Sequence, residues 1–290
     1  MSIVENLDKK IRKFWPKNGP PFQEVDKYIK KYSKEKIVIK CGGRVLLDPD
    51  LFSNFINDVT TLKKLGLTPV IVHGGGPRIK KKLEELNIDS KFIMGLRVTD
   101  EKIINIVESV LIDFNDDIVN SLKKNGSQAV SINTKKNNII EVIPESEELG
   151  FVGIPKKINI DIIKNIVEKN TIPIVSPLGL GKNNQTYNIN GDTAAGAIAK
   201  SLKSRRLLLM TNVEGVLDKE KKLIEEISSS EILEMIKNET ITEGMIPKIN
   251  TCLDAINNGV TAVGIIDGRK QHSILFEIFS DKGSGTLIRK

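Results

Sequence analysis

An apolar run ending in three consecutive glycines constrains this chain more than any other stretch. Pro69-Val70-Ile71-Val72-His73-Gly74-Gly75-Gly76-Pro77 begins as a buried parallel strand. Arg78 to Asn87 follows, with Ile79, Leu83 and Leu86 at helical spacing. Glycines between a strand and a helix leave bare N–H groups at the helix N-terminus, where donors and dipole both favour an anion. A tight turn needs one glycine. Three suit a ligand that touches the main chain.

The same grammar occurs earlier, in Ile37-Val38-Ile39-Lys40-Cys41-Gly42-Gly43. There a lysine at the strand end can set an ammonium beside the anion. Helical periodicity covers residues 22–32, 51–65, 100–125, 160–168, 194–202 and 245–257. Strand-like runs cover 129–132, 139–143, 172–175, 207–210 and 262–266. This alternation predicts an α/β fold with a mainly parallel central sheet. Ligands of such sheets bind beyond the carboxyl ends of the strands, where Lys40, the His73 loop and the segment after Val175 fall. Residues 1–21 are polar, end in Gly19-Pro20-Pro21, and read as an arm that is mobile or used in assembly.

Composition removes several classes. No apolar run approaches the ~20 residues of a membrane span, and Met1 to Arg12 is too charged for a secretory signal. Two cysteines in 290 residues make no disulfide framework, so a reduced, cytoplasmic protein is expected. The net charge of +7 permits anionic substrates. However, the lysines are interleaved with acids and aromatics are only 4%, so no nucleic-acid groove is expected.

Four further stretches carry chemistry. Gly95-Leu96-Arg97-Val98-Thr99 places an arginine where it could fork onto a carboxylate. Asn188, Asn190 and Asp192 alternate like one face of a short strand, after which Asp192 or Thr193 would cap an alanine-rich helix. Thr211 to Asp218 is a turn-rich loop after a strand. Lys248 stands near a helix N-terminus, opposing the dipole, which calls for an anionic partner.

Lys40-Cys-Gly-Gly43, His73-Gly-Gly-Gly-Pro77, Gly95-Leu-Arg97-Val-Thr99, Asn188-Ile-Asn-Gly-Asp192 and Gly244-Met-Ile-Pro-Lys248 occur in that order. Together they resemble the acetylglutamate kinases of the amino acid kinase family, from about Val25 onward, and the amphipathic helix around Tyr28 with the segment Asp267 to Thr286 resembles the arginine-inhibited branch. The resemblance implies a three-layer αβα sandwich with two lobes. Residues 36–178 would bind the acyl amino acid and 179–290 the nucleotide. It implies transfer of the ATP γ-phosphoryl to the side-chain carboxylate of N-acetyl-L-glutamate, with Mg²⁺ held mainly by ATP and no protein metal site. Lys40 and Lys248 would face the phosphoryl, with Asp192 organising both. Gly75, Gly76, Arg97 and Asn188 would bind the acceptor. Gly43, Asn212, Val213, Gly215, Leu217, Thr240, Ile241 and Thr242 would hold the nucleotide. Residues 22–35 would form an oligomerisation helix in a homohexamer, a trimer of dimers. L-Arginine would bind near Tyr28, His272, Glu277 and Gly285. Two positions depart from the pattern: Arg44, where a small or amide residue is expected, and Gly191, where alanine is usual. Three other readings compete: an aminoadipate-type or aspartate kinase of the same family, a non-catalytic metabolite sensor, and an esterase using His-Gly-Gly-Gly as its oxyanion loop. The esterase would need a Gly-x-Ser-x-Gly elbow, which this chain lacks.

Overall fold

The computed structural model describes residues 11–241 and 244–290. Helix α1 (Phe22–Tyr32) leads into strand β1 (Lys36–Cys41), followed by α2 (Pro49–Lys64), β2 (Thr68–His73) and α3 (Gly76–Glu85). A hairpin of β3 (Phe92–Ile93) and β4 (Leu96–Arg97) precedes the long α4 (Glu101–Lys124). Strands β5 (Ala129–Ile132), β6 (Ile140–Pro144) and β7 (Gly153–Ile158) lead to α5 (Ile160–Glu168) and β8 (Ile172–Val175). The pair β9 (Leu178–Leu180) and β10 (Thr186–Asn188) delivers α6 (Gly191–Leu202) and β11 (Arg206–Thr211). Then come β12 (Glu226–Ser228), α7 (Ser229–Lys237), α8 (Ile246–Asn257), β13 (Ala262–Asp267), α9 (Ser273–Phe279) and β14 (Gly285–Arg289).

Eight strands form one sheet in the order β12-β14-β13-β11-β1-β2-β8-β5. The pairings are parallel except β13 with β14. Strand alternation splits the core into two layers. Ile37, Ile39, Leu208 and Met210 face α1, α2, α4 and α9, while Val38, Leu207 and Leu209 face α5, α6 and α8. The sheet is therefore covered on both faces, as the apolar runs require. A second sheet, β10-β9-β6-β7, and the small hairpin stand beside it. Because β11, β1, β2 and β8 are neighbours, the loops at their carboxyl ends converge.

Helix boundaries follow the caps. Helix α2 begins at Pro49 because the Asp48 carboxylate accepts from the N–H groups of Asp50 and Leu51, at 3.0 and 3.1 Å. The described part of the arm is docked, contrary to a mobile reading. Ile11 is buried, and Trp15 packs edge-on against Phe22 and Phe279 at 6.0 and 5.6 Å. Helix α1 likewise spends its apolar stripe on its own chain, burying Val25, Tyr28 and Tyr32. Among the described residues no helix is long and apolar enough to cross a membrane. Both cysteines are free and buried.

Candidate functional site

Lys40 leaves the end of β1, and its Nζ lies 2.9 Å from Asp192 Oδ1. Asp192 is the second residue of α6. It caps nothing, because Asn190 is the cap. The Asn190 side-chain oxygen accepts from the N–H groups of Asp192 and Thr193 at 2.9 and 3.2 Å. The expectation that Asp192 or Thr193 would cap the helix is thus corrected. A cap must stand outside the first turn, and the backbone turns at Asn190. The Asp192 carboxylate is released to bond outward. Its Oδ2 accepts from Lys248 Nζ, on the first turn of α8. Lys248 thus has the anionic partner that its place at a helix N-terminus demanded.

These three side chains are only 13–16% exposed. Burial alone would raise the Asp192 carboxyl, but the two ammonium groups outweigh it and hold the carboxyl at about 2. Two cations share one anion at the N-termini of two helices. The local field therefore favours a further anion.

That field opens onto a cavity of about 260 Å³ lined by Lys40, Gly43, Gly75, Gly76, Arg97, Asn188 and Asp192, among others. The Gly-Gly turn after β1 leaves room for the side chains that meet over it. A Cβ on Gly42 would stand 2.2 Å from Lys40 Nζ. Gly43 has φ +68°, and its Cβ would stand 2.3 Å from Asn212 Oδ1. Asn212 spends that oxygen on the Arg44 N–H at 3.0 Å, tying the loop after β11 to the turn after β1. Gly191 leaves Lys40 room, since a Cβ there would lie 3.3 Å from its Cε.

Arg97 reaches the cavity from the hairpin, where it pairs with Phe92. Its guanidinium stacks 4.7 Å from the Phe92 ring centroid and donates to the Ser90 hydroxyl and the Gly76 carbonyl. Two N–H groups so engaged leave others of the planar fork for a carboxylate. Arg97→Lys keeps the charge and loses the fork. Its expected result is a ~10-fold or larger rise in KM for the carboxylate substrate, on the scale of one charge-assisted hydrogen bond, with nucleotide KM unchanged. Equal loss of both affinities in steady-state kinetics would remove Arg97 from the acceptor site.

A second cavity, about 660 Å³, is lined by Val213, Gly215, Leu217, Thr240 and Ile241. Asn212 does not line it; its side-chain oxygen accepts from the Arg44 N–H. Thr242 lies outside the described residues. Among the described residues no group of three or more His, Cys, Asp or Glu side chains could hold a metal ion. The donors around the first cavity are ammonium, guanidinium and N–H groups, which suit phosphate oxygens rather than a cation.

The four effector candidates separate. Tyr28 and Glu277 line a third cavity, of about 130 Å³, together with Lys31, Arg206, Asp281 and Arg289. His272 is elsewhere. Its left-handed backbone (φ +55°) turns the ring onto α2, where Nδ1 lies 2.6 Å from the buried Asp58 carboxylate. Gly285 is elsewhere too, paired with Ile266 so tightly that a Cβ would stand 2.0 Å from the Ile265 carbonyl oxygen. Arg206 carries no sequence signal beyond a charge at a strand start. It is nevertheless 7% exposed, and its Nη1 makes no hydrogen bond.

Residues 35–267 match the family model described as the amino acid kinase family. An acetylglutamate kinase of Pelagibacter ubique is 59% identical over 95% of this chain and 96% of its own length. The chain belongs to the amino acid kinase family. Within it, the sequence sides with the acetylglutamate kinases; that of Rhodospirillum centenum is 42% identical over 96% of this chain and 95% of its own. Solved structures share the amino acid kinase fold at lower identity. N-acetylglutamate synthase from Neisseria gonorrhoeae, complexed with coenzyme A and N-acetyl-glutamate, superposes at TM-score 0.84 and 23% identity. The alignment covers 93% of this chain and 62% of that one. Carbamate kinase from Giardia lamblia bound to AMP-PNP superposes at TM-score 0.66 and 17% identity, over 89% of this chain and 99% of that one.

Proposed function

We propose that this chain transfers the γ-phosphoryl group of ATP to the side-chain carboxylate of N-acetyl-L-glutamate, giving N-acetyl-L-glutamyl 5-phosphate and ADP, a step of arginine biosynthesis. The observation that carries this reading is the Lys40–Asp192–Lys248 bridge beside a glycine-lined cavity that also holds Arg97. Two anions must meet in this reaction, so positioning and charge are what the protein supplies. The acceptor carboxylate, with an ordinary pKa of ~4.3, is ionised at neutral pH and needs no base. Asp192 is not a base either, because both its oxygens are engaged by lysines. It aims Lys40 and Lys248 at the equatorial oxygens of the transferring group. The N–H groups of Gly43, Gly75 and Gly76 hold phosphate and the attacking carboxylate. Arg97 takes the α-carboxylate and Asn188 the acetamido group. The Val213–Leu217 and Thr240–Ile241 walls take the nucleotide. Magnesium would arrive on the nucleotide's phosphate oxygens and screen their charge. ADP release with N-acetyl-L-glutamate should exceed that with L-glutamate, L-aspartate or N-acetyl-aminoadipate by ~10–200-fold in kcat/KM, the range of one group in a fitted pocket. A better rate with aspartate or the aminoadipate compound would change the acceptor.

The third cavity supports L-arginine as an effector. Glu277 is buried, which raises its carboxyl, and it accepts from the Ser284 N–H at 3.1 Å. A ligand bearing both a guanidinium and a carboxylate would satisfy Glu277 and Arg206 together. The related N-acetylglutamate synthase has also been solved with coenzyme A and L-arginine. Inhibition requires that arginine bind one arrangement of the protein better than another. Arginine titration should inhibit the native chain, and Arg206→Ala should lose inhibition while keeping activity. The expected assembly is a homohexamer, read by sizing. A hexamer indifferent to millimolar arginine would remove the effector site, and a dimer would remove the ring.

A further inference from the structure

The loop bearing Gly75 and Gly76 is held from behind by a buried polar chain that the steps above do not use. His73 ends β2, is fully buried, and meets the Phe114 ring edge-on at 5.0 Å. Its Nδ1 lies 2.9 Å from the Gly74 carbonyl oxygen, and its Nε2 lies 3.1 Å from Asn115 Nδ2 and 3.2 Å from the Ser176 hydroxyl. The orientation of the Asn115 amide follows from its other partners. Its nitrogen donates to the Ile174 carbonyl at 3.0 Å, and its oxygen accepts from the Ser131 hydroxyl. The Asn115 amide and the Ser176 hydroxyl can each donate to Nε2, an environment that suits a bare Nε2 with the imidazole proton on Nδ1. A carbonyl can only accept, so the Gly74 end demands the same tautomer. In a trans peptide the C=O and the following N–H point in opposite directions, and the described residues contain no cis peptide. With the Gly74 carbonyl drawn back to the buried ring, the Gly75 N–H is turned the other way, into the cavity that Gly74, Gly75 and Gly76 line. The Gly74 N–H is itself tied to the Cys41 carbonyl at 2.7 Å.

We propose that His73 is a positioning residue: as the neutral Nδ1–H tautomer that the Gly74 carbonyl requires and that Asn115 and Ser176 accommodate, it locks the Gly74–Gly75 peptide so that the Gly75 N–H meets the reacting anion. This rests on the phosphoryl-transfer reading for the identity of that anion, but not for the geometry. Burial lowers the ring's pKa to about 4, so the imidazole is neutral at neutral pH.

The test has two parts. Nitrogen-15 spectra of the native chain should show a protonated Nδ1 and a bare Nε2 for His73 from about pH 5 to 8. His73→Leu should lower kcat by ~100-fold, as for one lost oxyanion-type donor, with ATP KM within about two-fold. His73→Asn, whose amide can still donate to Gly74, should recover most of that loss. Asn115→Leu, which keeps the imidazole and its Gly74 contact, should keep the Nδ1–H tautomer and lower kcat far less than His73→Leu does. An Nε2–H ring, or a folded His73→Leu variant with native kcat, would overturn the proposal. If a different acyl amino acid proves to be the acceptor, the tautomer and the kcat split remain with that substrate, so the two failures are distinguishable.

Discussion

Lys248→Ala and Lys40→Ala are each expected to lower kcat by roughly 10²–10³-fold and to move KM far less, the effect of removing one charge that acts mainly in the transition state. This loss corresponds to about 2.7–4 kcal/mol of transition-state stabilisation. The two lysines come from opposite ends of the fold, the end of β1 and the head of α8, yet share one carboxylate. Neither is a general surface cation, since both are almost buried. Ground-state nucleotide also feels this field, but the charge of the transferring group is most exposed to the lysines when the leaving oxygen departs. Lys→Arg at either position is not conservative, because the planar fork cannot stand in for an ammonium in a gap this narrow. Single-turnover and steady-state rates measure the split. A variant that keeps kcat within a few-fold of native would remove that lysine from the chemistry.

Asp192→Asn is the second large effect, with kcat falling by roughly 10³-fold or more. The three groups act as a unit, so losing the organiser resembles losing both lysines rather than adding a third independent penalty. The variant leaves two ammonium groups facing a neutral amide, and mutual repulsion drives them apart. Stability changes with a definite sign. The Asp192 carboxyl drops from 3.8 to about 2 on folding, so its contribution is fully present above pH 3.8 and is lost as pH falls toward 2. The size is about 2 kcal/mol, from 1.36 kcal/mol per pKa unit. Denaturant titrations of native and Asp192→Asn protein should therefore differ most near neutral pH and converge in acid. A variant with kcat within ten-fold of native would contradict the organising role, whatever its stability.

Much of this architecture was legible because the pattern was local. Residues 129–132, 160–168 and 172–175 take their expected elements, since alternating or 3.6-period apolar residues leave little choice of partner face. Lys248 was legible for an electrostatic reason: a cation at a helix N-terminus without an anion would be unstable there. Where two residues compete for one role, spacing does not decide. Asn190 and Asp192 can both cap, and only the backbone turn picks Asn190. Helix α7 carried its own signal, the Ser228/Glu231 capping box, which the periodicity reading passes over because Ile232 alone of its side chains is buried. The hairpin that carries Arg97 has two-residue strands, too short for any alternation. Arg206 was illegible because its cavity joins α1, the start of β11 and the turn after α9, which are far apart in the chain. His272 and Gly285 were misplaced for the converse reason. They are near Glu277 in sequence, but one left-handed residue and one tight strand pairing carry them off the cavity wall. His73 sat in plain view in the glycine motif. Its tautomer is accommodated by Asn115 and Ser176, which only the fold brings to it.

The central claim is that the glycine-lined cavity makes an acyl phosphate. Its most direct measurement is trapping with hydroxylamine, which converts an acyl phosphate into a stable hydroxamate. With ATP and N-acetyl-L-glutamate together, the account predicts hydroxamate in one-to-one ratio with ADP, and none when either substrate is omitted. ADP released without hydroxamate would mean phosphoryl transfer to water or to another group, and would contradict the account.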